Sequence, residues 1–424
     1  MARLFPNVIF LLTIGMLNCA SIAQEAATDE AVDADKCKPV DYFFDRPKTP
    51  VEVFGNDDPP EFSSNDPVEY LSEDFSEISE SEIKRNSQGS VRKTFAVWLL
   101  TYVATKTHNI AQGKTPEGLS YLYRKPKNGS KTWVIQHGVF AGSIETWFPF
   151  IGSIPREDGI IAIDALGHGS SEYDRNADYS ILVQIDRVKS GLKYIQGQDG
   201  FIGSPMIGVA HSLGAIFLQR IAITNPHMFE NLIFINPAFL VSKNGEFETM
   251  LNNRPGEEGY NPFFPKDYKE ILKTMALLVP KSELYCQNPS FLKKHVVNTL
   301  IYLLSYPITW VGKSIYKSEE PKMRTLWNTM FPSIDKIFEI YNLLILPDLK
   351  NMKISQLYFL GLDDGIFPYS KTEEFIMKNT DQKWIQIRPA RGGHLTPILH
   401  PQDTYNEIKL FLESDGGPIS TLAI

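Results

Sequence analysis

From about residue 107 the chain breaks into short runs that are apolar and mostly β-branched. They are Ser120–Arg124, Thr132–Gln136, Ile160–Ile163, Pro205–Val209, Leu232–Ile235, Gln356–Leu360 and Trp384–Ile387, bounded by Gly, Asn or Pro. Most lack alternation between apolar and polar positions, which predicts strands buried on both faces. Helical spacing appears between several of them, at Ile181–Ile195 and Leu213–Thr224, and again at Pro401–Leu412 after the last. Strands that alternate with helices predict an α/β architecture: a mostly parallel central sheet flanked by helices. One region breaks the alternation. Residues 238–350 offer no strand pattern but several Leu- and aromatic-rich helical runs, Tyr268–Leu278, Phe291–Tyr306 and Ile334–Leu346. An all-helical insertion between two strands is expected there.

The first 90 residues follow other rules. Arg3 precedes the apolar, uncharged stretch Leu4–Leu17, and Ser21-Ile22-Ala23 places small residues where a signal peptidase cuts. Residues 1–23 therefore read as a signal peptide, and a secreted or periplasmic location is expected. Residues 24–90 hold 18 acidic and 6 basic side chains among many Pro, Ser and Asp, an acidic N-terminal extension without periodicity. The formal net charge of the 424 residues is −8, so the acidity belongs to the extension and not to the body. A net negative chain is a poor partner for nucleic acid. The content of 43% hydrophobic and 22% charged residues excludes global disorder. The expected organisation is then 1–23 signal peptide, 24–90 extension, 91–237 first part of the core, 238–350 helical cap or lid, and 351–424 second part of the core. Cleavage would leave Cys37 and Cys286, and an oxidising compartment would permit one bridge between them. Asn128-Gly129-Ser130 is an acceptor for N-glycosylation in a eukaryotic host.

The chemistry gathers where strands are expected to end. Pro205–Val209 runs into Ala210-His211-Ser212-Leu213-Gly214 and then a helix. A Ser at a sharp strand-to-helix turn, with small residues two before and two after, is the arrangement of a nucleophile elbow. Its partners should follow in the order acid, then histidine. Strand Gln356–Leu360 ends in Gly361-Leu362-Asp363-Asp364-Gly365-Ile366-Phe367-Pro368, and Trp384–Ile387 is followed by Arg391-Gly392-Gly393-His394. Ser212 would be the nucleophile, His394 the base that takes its proton, and the Asp the group that fixes the imidazole tautomer. After Thr132–Gln136 comes His137-Gly138-Val139-Phe140, where Gly138 is expected to permit a turn. The backbone N–H groups of Val139 and Leu213 are the candidate oxyanion donors. His137 reads as a structural histidine bonded to nearby backbone. No cofactor and no metal is called for.

Taken together, His137-Gly138, the run Asp164-Ala165-Leu166-Gly167-His168-Gly169-Ser170-Ser171, the elbow, Asp364 and Gly393-His394 resemble the α/β-hydrolase superfamily. The resemblance covers about 107–236 and 350–412. It implies the α/β-hydrolase fold, with the helical cap inserted before the acid-bearing strand. It also implies Asp364 over Asp363 as the acid, because Gly361 and Pro368 match the family spacing, and a mostly structural role for Asp164 and His168. Ser at the elbow points away from relatives that use a carboxylate nucleophile. Val296–Gly312 carries no formal charge and holds Leu300, Ile301, Leu303, Leu304, Tyr306 and Trp310, as a lid helix with an apolar face would. The expected activity is hydrolysis of small-molecule or lipid carboxylic esters with an apolar acyl group, through a Ser-His-Asp triad and an acyl-enzyme intermediate, with transient contact between cap and lipid surface. Two alternatives stay open: a peptidase of the same fold, using cap residues such as Glu246, Glu248, Glu257 and Glu258, and a non-catalytic binding protein. The cap is expected to set substrate choice without supplying chemistry.

Overall fold

The computed structural model describes residues 105–127, 129–140, 142–198, 200–238, 259–264, 270, 273–274, 277–279, 322–331 and 346–414. The leader, the acidic extension, Cys37, Cys286, Asn128 and Val296–Gly312 lie outside them, as do the expected helices Phe291–Tyr306 and, except for Leu346, Ile334–Leu346.

Among the described residues eight strands form one sheet: β1 (Ala111–Lys114), β2 (Ser120–Arg124), β3 (Thr132–Gln136), β4 (Gly159–Ile163), β5 (Met206–His211), β6 (Asn231–Ile235), β7 (Ser355–Gly361) and β8 (Ile385–Ala390). Their order is β1-β2-β4-β3-β5-β6-β7-β8. β1 and β2 run antiparallel at one edge, and every pair from β4 to β8 is parallel. All residues of β3, β4 and β5 are buried, so they sit mid-sheet with both faces covered. Side chains alternate between two cores. Val134, Ala210, Phe234 and Tyr358 face one, while Trp133, Ile135, Val209, Ile235 and Phe359 face the other.

Helices α1 (Ser143–Ser153) and α5 (Pro401–Glu413) cover the second face through Trp147, Phe150, Ile151, Ile408 and Phe411. Helices α2 (Ile181–Gln196), α3 (Gly214–Thr224) and α4 (Tyr369–Asn379) cover the first. In α2, Ile181, Ile185, Val188, Leu192 and Ile195 recur at three- and four-residue steps and are all buried, which is why this helix is plain in the sequence. α1 and α4 are not. α1 contains Pro149 and is apolar over most of its length, while α4 buries only Thr372 and Ile376. β1 is also unforeseen, being exposed and short. Pro389, which has no N–H for a ladder, is tolerated because β8 is an edge strand.

Within 238–350 the described residues contain helix and no strand. Glu270, Lys273, Thr274, Leu277 and Leu278 are helical, as are 322–330 and Leu346–Leu349. Leu326, Trp327, Met330 and Phe331 are buried against the first core. From β3 the chain steps to β4 on one side and later to β5 on the other. The carboxyl ends of β3 and β5 thus flank a topological switch point, where α/β sheets place their ligands.

Candidate active site

Ser212 follows β5 directly and has φ 53, the left-handed conformation that costs a residue with a Cβ. Surrounding bonds hold it there. Its N–H donates to the Ile235 carbonyl (3.1 Å), and its own carbonyl accepts from Ala215 and Ala238, each at 3.0 Å. Gly214 must lack a side chain, since a Cβ would stand 2.6 Å from the His137 carbonyl oxygen and 2.9 Å from that of Gln136. Small size at this point lets α3 start against β3.

The structure brings the three expected residues into one row. His394 Nε2 lies 3.0 Å from Ser212 Oγ, and His394 Nδ1 lies 2.8 Å from Asp364 Oδ2. Asp364 is buried, and its Oδ1 accepts the N–H groups of Ile366 (2.8 Å) and Phe367 (2.9 Å). That turn leaves Oδ2 for the imidazole. Asp363 points to solvent. With its Nδ1–H committed to the carboxylate, His394 presents the unprotonated Nε2 to the hydroxyl, the tautomer a general base needs.

Val139 and Leu213 both line the cavity at Ser212, and among the described residues neither amide has a protein acceptor. The reason for Gly138 differs from the expected one. Among the described residues of this loop the left-handed one is Phe140, with φ 58. Gly138 is needed for space, because a Cβ there would meet Ser212 Cβ at 3.1 Å and His211 Nδ1 at 3.2 Å. His137 donates from Nδ1 to the Gly138 carbonyl (2.6 Å) and accepts the Ala165 N–H at Nε2 (3.0 Å). Both ring nitrogens are spent on backbone, and burial holds its pKa below the usual histidine value. Asp164 accepts from Ser143 N–H (2.7 Å) and Ser170 N–H (2.8 Å), tying two loops together away from the row.

Three features went unforeseen. His211 donates from Nε2 to the His394 carbonyl (2.7 Å). Burial, then the neighbouring His394, push its pKa down to about 3, so this second imidazole stays neutral beside the first. Asn236, just past β6, reaches both the acid loop and the histidine loop. The third feature comes from the insertion. The Leu277 carbonyl accepts the Gly365 N–H (3.1 Å) and the Leu278 carbonyl accepts the Leu395 N–H (3.2 Å). Carbonyls in a last helical turn have no partner within their helix. Here the residues next to Asp364 and His394 supply it.

The cavity over Ser212 is apolar, walled by Val139, Ile181, Leu213, Ile216, Ala238, Phe263, Trp327, Phe331 and Phe367. Trp327 packs in tilted and edge-to-face contacts among Phe263 (5.1 Å between ring centroids), Phe264 (5.5 Å) and Phe331 (4.7 Å), so insertion residues build much of the aromatic wall. Among the described residues no group of three or more His, Cys, Asp or Glu side chains is placed to hold a metal ion.

No protein-family model matches the chain. The uncharacterized protein YqjL of Bacillus subtilis is 27% identical over 124 residues, which are 29% of this chain and 47% of that protein, so the match spans less than half of the relative's length. Solved structures share the fold over most of their own length. A membrane phospholipase A, described as a bacterial virulence factor, is 18% identical with a TM-score of 0.53, covering 75% of this chain and 91% of that one. A serine hydrolase from Cycloclasticus zankles is 15% identical with a TM-score of 0.53, covering 72% and 98%. The 2-hydroxy-6-oxo-6-phenylhexa-2,4-dienoate hydrolase of a Rhodococcus species is 15% identical with a TM-score of 0.52, covering 72% and 99%.

Proposed function

We propose that this chain, which has the α/β-hydrolase fold, is a serine hydrolase that cleaves carboxylic esters carrying an apolar acyl group. One observation carries the reading: a buried Ser212–His394–Asp364 row, with Ser212 on a strained elbow, opens into a cavity whose other walls are apolar. His394 Nε2 takes the proton of Ser212 Oγ as that oxygen attacks the acyl carbon, and Asp364 stabilises the imidazolium. The N–H groups of Val139 and Leu213 receive the oxyanion. The tetrahedral intermediate collapses, His394 returns the proton to the departing alcohol, and the acyl group remains on Ser212. Water activated by the same imidazole then releases the acid.

The aromatic wall supports an apolar acyl group, and the phospholipase among the structural neighbours supports a lipid ester as one form of it. The leader-like residues 1–23 support secretion or periplasmic export, and the uncharged run Val296–Gly312 supports transient contact with a lipid surface. The test is a chromogenic ester panel of rising acyl length, run beside amino-acid arylamides and fluorophosphonate labelling. Wild type should be labelled and should prefer longer acyl esters, while Ser212→Ala should lose both properties with its fold intact. Faster turnover of arylamides would assign a peptidase, and an unlabelled, folded wild type would leave a binding protein.

A further inference from the structure

His394 has little of its own to hold it. It sits in the loop after β8, which among the described residues is an edge strand paired only with β7, and that loop contains Gly392 at φ 93 followed by Gly393. Asp364 sits on a different loop, after β7. The two must nonetheless meet at 2.8 Å while His394 also stays 3.0 Å from Ser212. Beside that contact and the packing of the Phe367 ring on His394 (5.6 Å between centroids), the Asn236 side chain hydrogen-bonds to both segments.

Asn236 is the residue after β6, on the far side of β7 from the histidine loop. Its Oδ1 accepts the Gly361 N–H (2.6 Å) at the end of the acid-bearing strand. Its Nδ2 donates to the carbonyls of Gly393 (2.8 Å) and His394 (3.1 Å), with Thr396 Oγ1 at 3.3 Å. The partners dictate the residue type. A backbone N–H needs an acceptor and two backbone carbonyls need donors, and only a carboxamide offers an acceptor together with two donors. An aspartate would set an oxygen against two carbonyl oxygens. Asn236 also has φ 46, which Asn tolerates better than most residues. It can reach past β7 because Gly361 has no side chain: a Cβ there would stand 2.7 Å from the Gly393 oxygen and 3.2 Å from Asn236 Oδ1. Two further donors hold the loop on the same side, His211 Nε2–H to the His394 carbonyl (2.7 Å) and Thr396 Oγ1–H to the Gly393 carbonyl (2.8 Å).

We infer that Asn236 is a positioning residue of the hydrolytic site, setting the span between the acid loop and the histidine loop and thereby the register of Asp364, His394 and Ser212. The inference rests on reading those three as a triad. Asn236 is buried and its carboxamide is spent on the two loops, so it acts through His394 and not on substrate. A displacement of about 1 Å in a reacting group costs on the order of 10²-fold in rate.

The experiment compares wild type with Asn236→Gly, which accepts the left-handed backbone and removes the clamp. Active sites are titrated with a fluorophosphonate, and kcat is expressed per titrated site. A fall in kcat of roughly 10²-fold with KM nearly unchanged is expected. A residue that served only stability would lower the fraction of active protein and the thermal midpoint, leaving turnover per site alone, and that result would overturn the proposal. Thr396→Val is the second variant if Asn236→Gly does not fold. It is near-isosteric, frees the Gly393 carbonyl from one donor, and should lower turnover per site in the same direction by less, an unchanged value again overturning the idea. The downfield proton NMR signal of the His394–Asp364 hydrogen bond provides a readout that needs no substrate. Its loss in Asn236→Gly would uphold the positioning role even if wild type proved inert on esters, and its persistence unchanged would sink it.

Discussion

Gly361→Ala tests how tightly the site is built. Gly361 does not adopt a left-handed conformation, so alanine's backbone preferences are no obstacle; the obstacle is space. The added Cβ would stand 2.7 Å from the Gly393 carbonyl oxygen and 2.9 Å from that of Gly392, where ordinary contact begins at 3.4 Å. Both neighbours are main chain and cannot rotate away. Moving from 2.7 to 3.4 Å obliges the histidine loop to retreat by about 0.7 Å, a quarter of the present 2.8 Å contact between His394 and Asp364. Scaling from the roughly 10²-fold cost of a 1 Å misplacement, kcat should fall by between about 10-fold and 10²-fold. Overpacking costs about 1–3 kcal/mol, less than the 5–15 kcal/mol by which domains are typically stable, so the variant should remain folded. The assay is turnover on a fixed ester per fluorophosphonate-titrated site, with the thermal midpoint measured in parallel. Gly197→Ala, whose Cβ would meet only atoms at 3.5 Å, is the control and should match wild type in both. Wild-type turnover per site in folded Gly361→Ala would refute the view that the close approach of these loops sets the rate.

Asp364→Asn should lower kcat by on the order of 10²–10⁴-fold, since it would leave His394 in the wrong tautomer, while Asp363→Asn should change little because Asp363 faces solvent; the reverse order would move the acid to Asp363. Gly365→Ala would press a Cβ to within 2.9 Å of Leu277 Cα and 3.0 Å of its carbonyl oxygen, so it should reduce kcat for short and long acyl esters alike, and a change confined to long esters would show that the insertion governs substrate choice alone. Burial, then neighbouring His137, lowers the His168 pKa to about 3 from 6.5. The unfolded chain therefore takes up that proton first as pH falls, and folding stability is lost between these two values by up to about 1.4 kcal/mol per pH unit. His168→Asn, which can keep a donor toward the Leu166 carbonyl, should flatten the pH dependence of unfolding by that amount, and identical slopes would count against a neutral buried His168.

What the sequence reveals and what it hides divide along one physical line. A strand buried on both faces must be apolar throughout, and an elbow must have small residues on either side of its Ser. Both requirements act between near neighbours, so β3 to β7 and Ser212 can be read within a few positions. Asp364 and His394 are legible for a related reason, since each stands just past a strand end in the order the chemistry needs. Helix α1 escapes notice because Pro149 and Gly152 contradict its local pattern while Trp147, Phe150 and Ile151 supply the burial that overrides them. Asn236 is harder still. Asn before Pro237 at a strand end reads as an ordinary turn, and its partners lie 125 to 160 positions away. The same holds for Leu277 and Leu278, whose side chains suggest only an apolar helix face while their carbonyls make the contacts that matter. Backbone acceptors carry no residue-type signal, so the insertion's hold on the acid and histidine loops cannot be read from side-chain chemistry. The expectation that the insertion shapes substrate choice without touching the chemistry rests on side chains alone. Two main-chain hydrogen bonds to the residues beside Asp364 and His394 give that expectation a direct competitor, which Gly365→Ala decides.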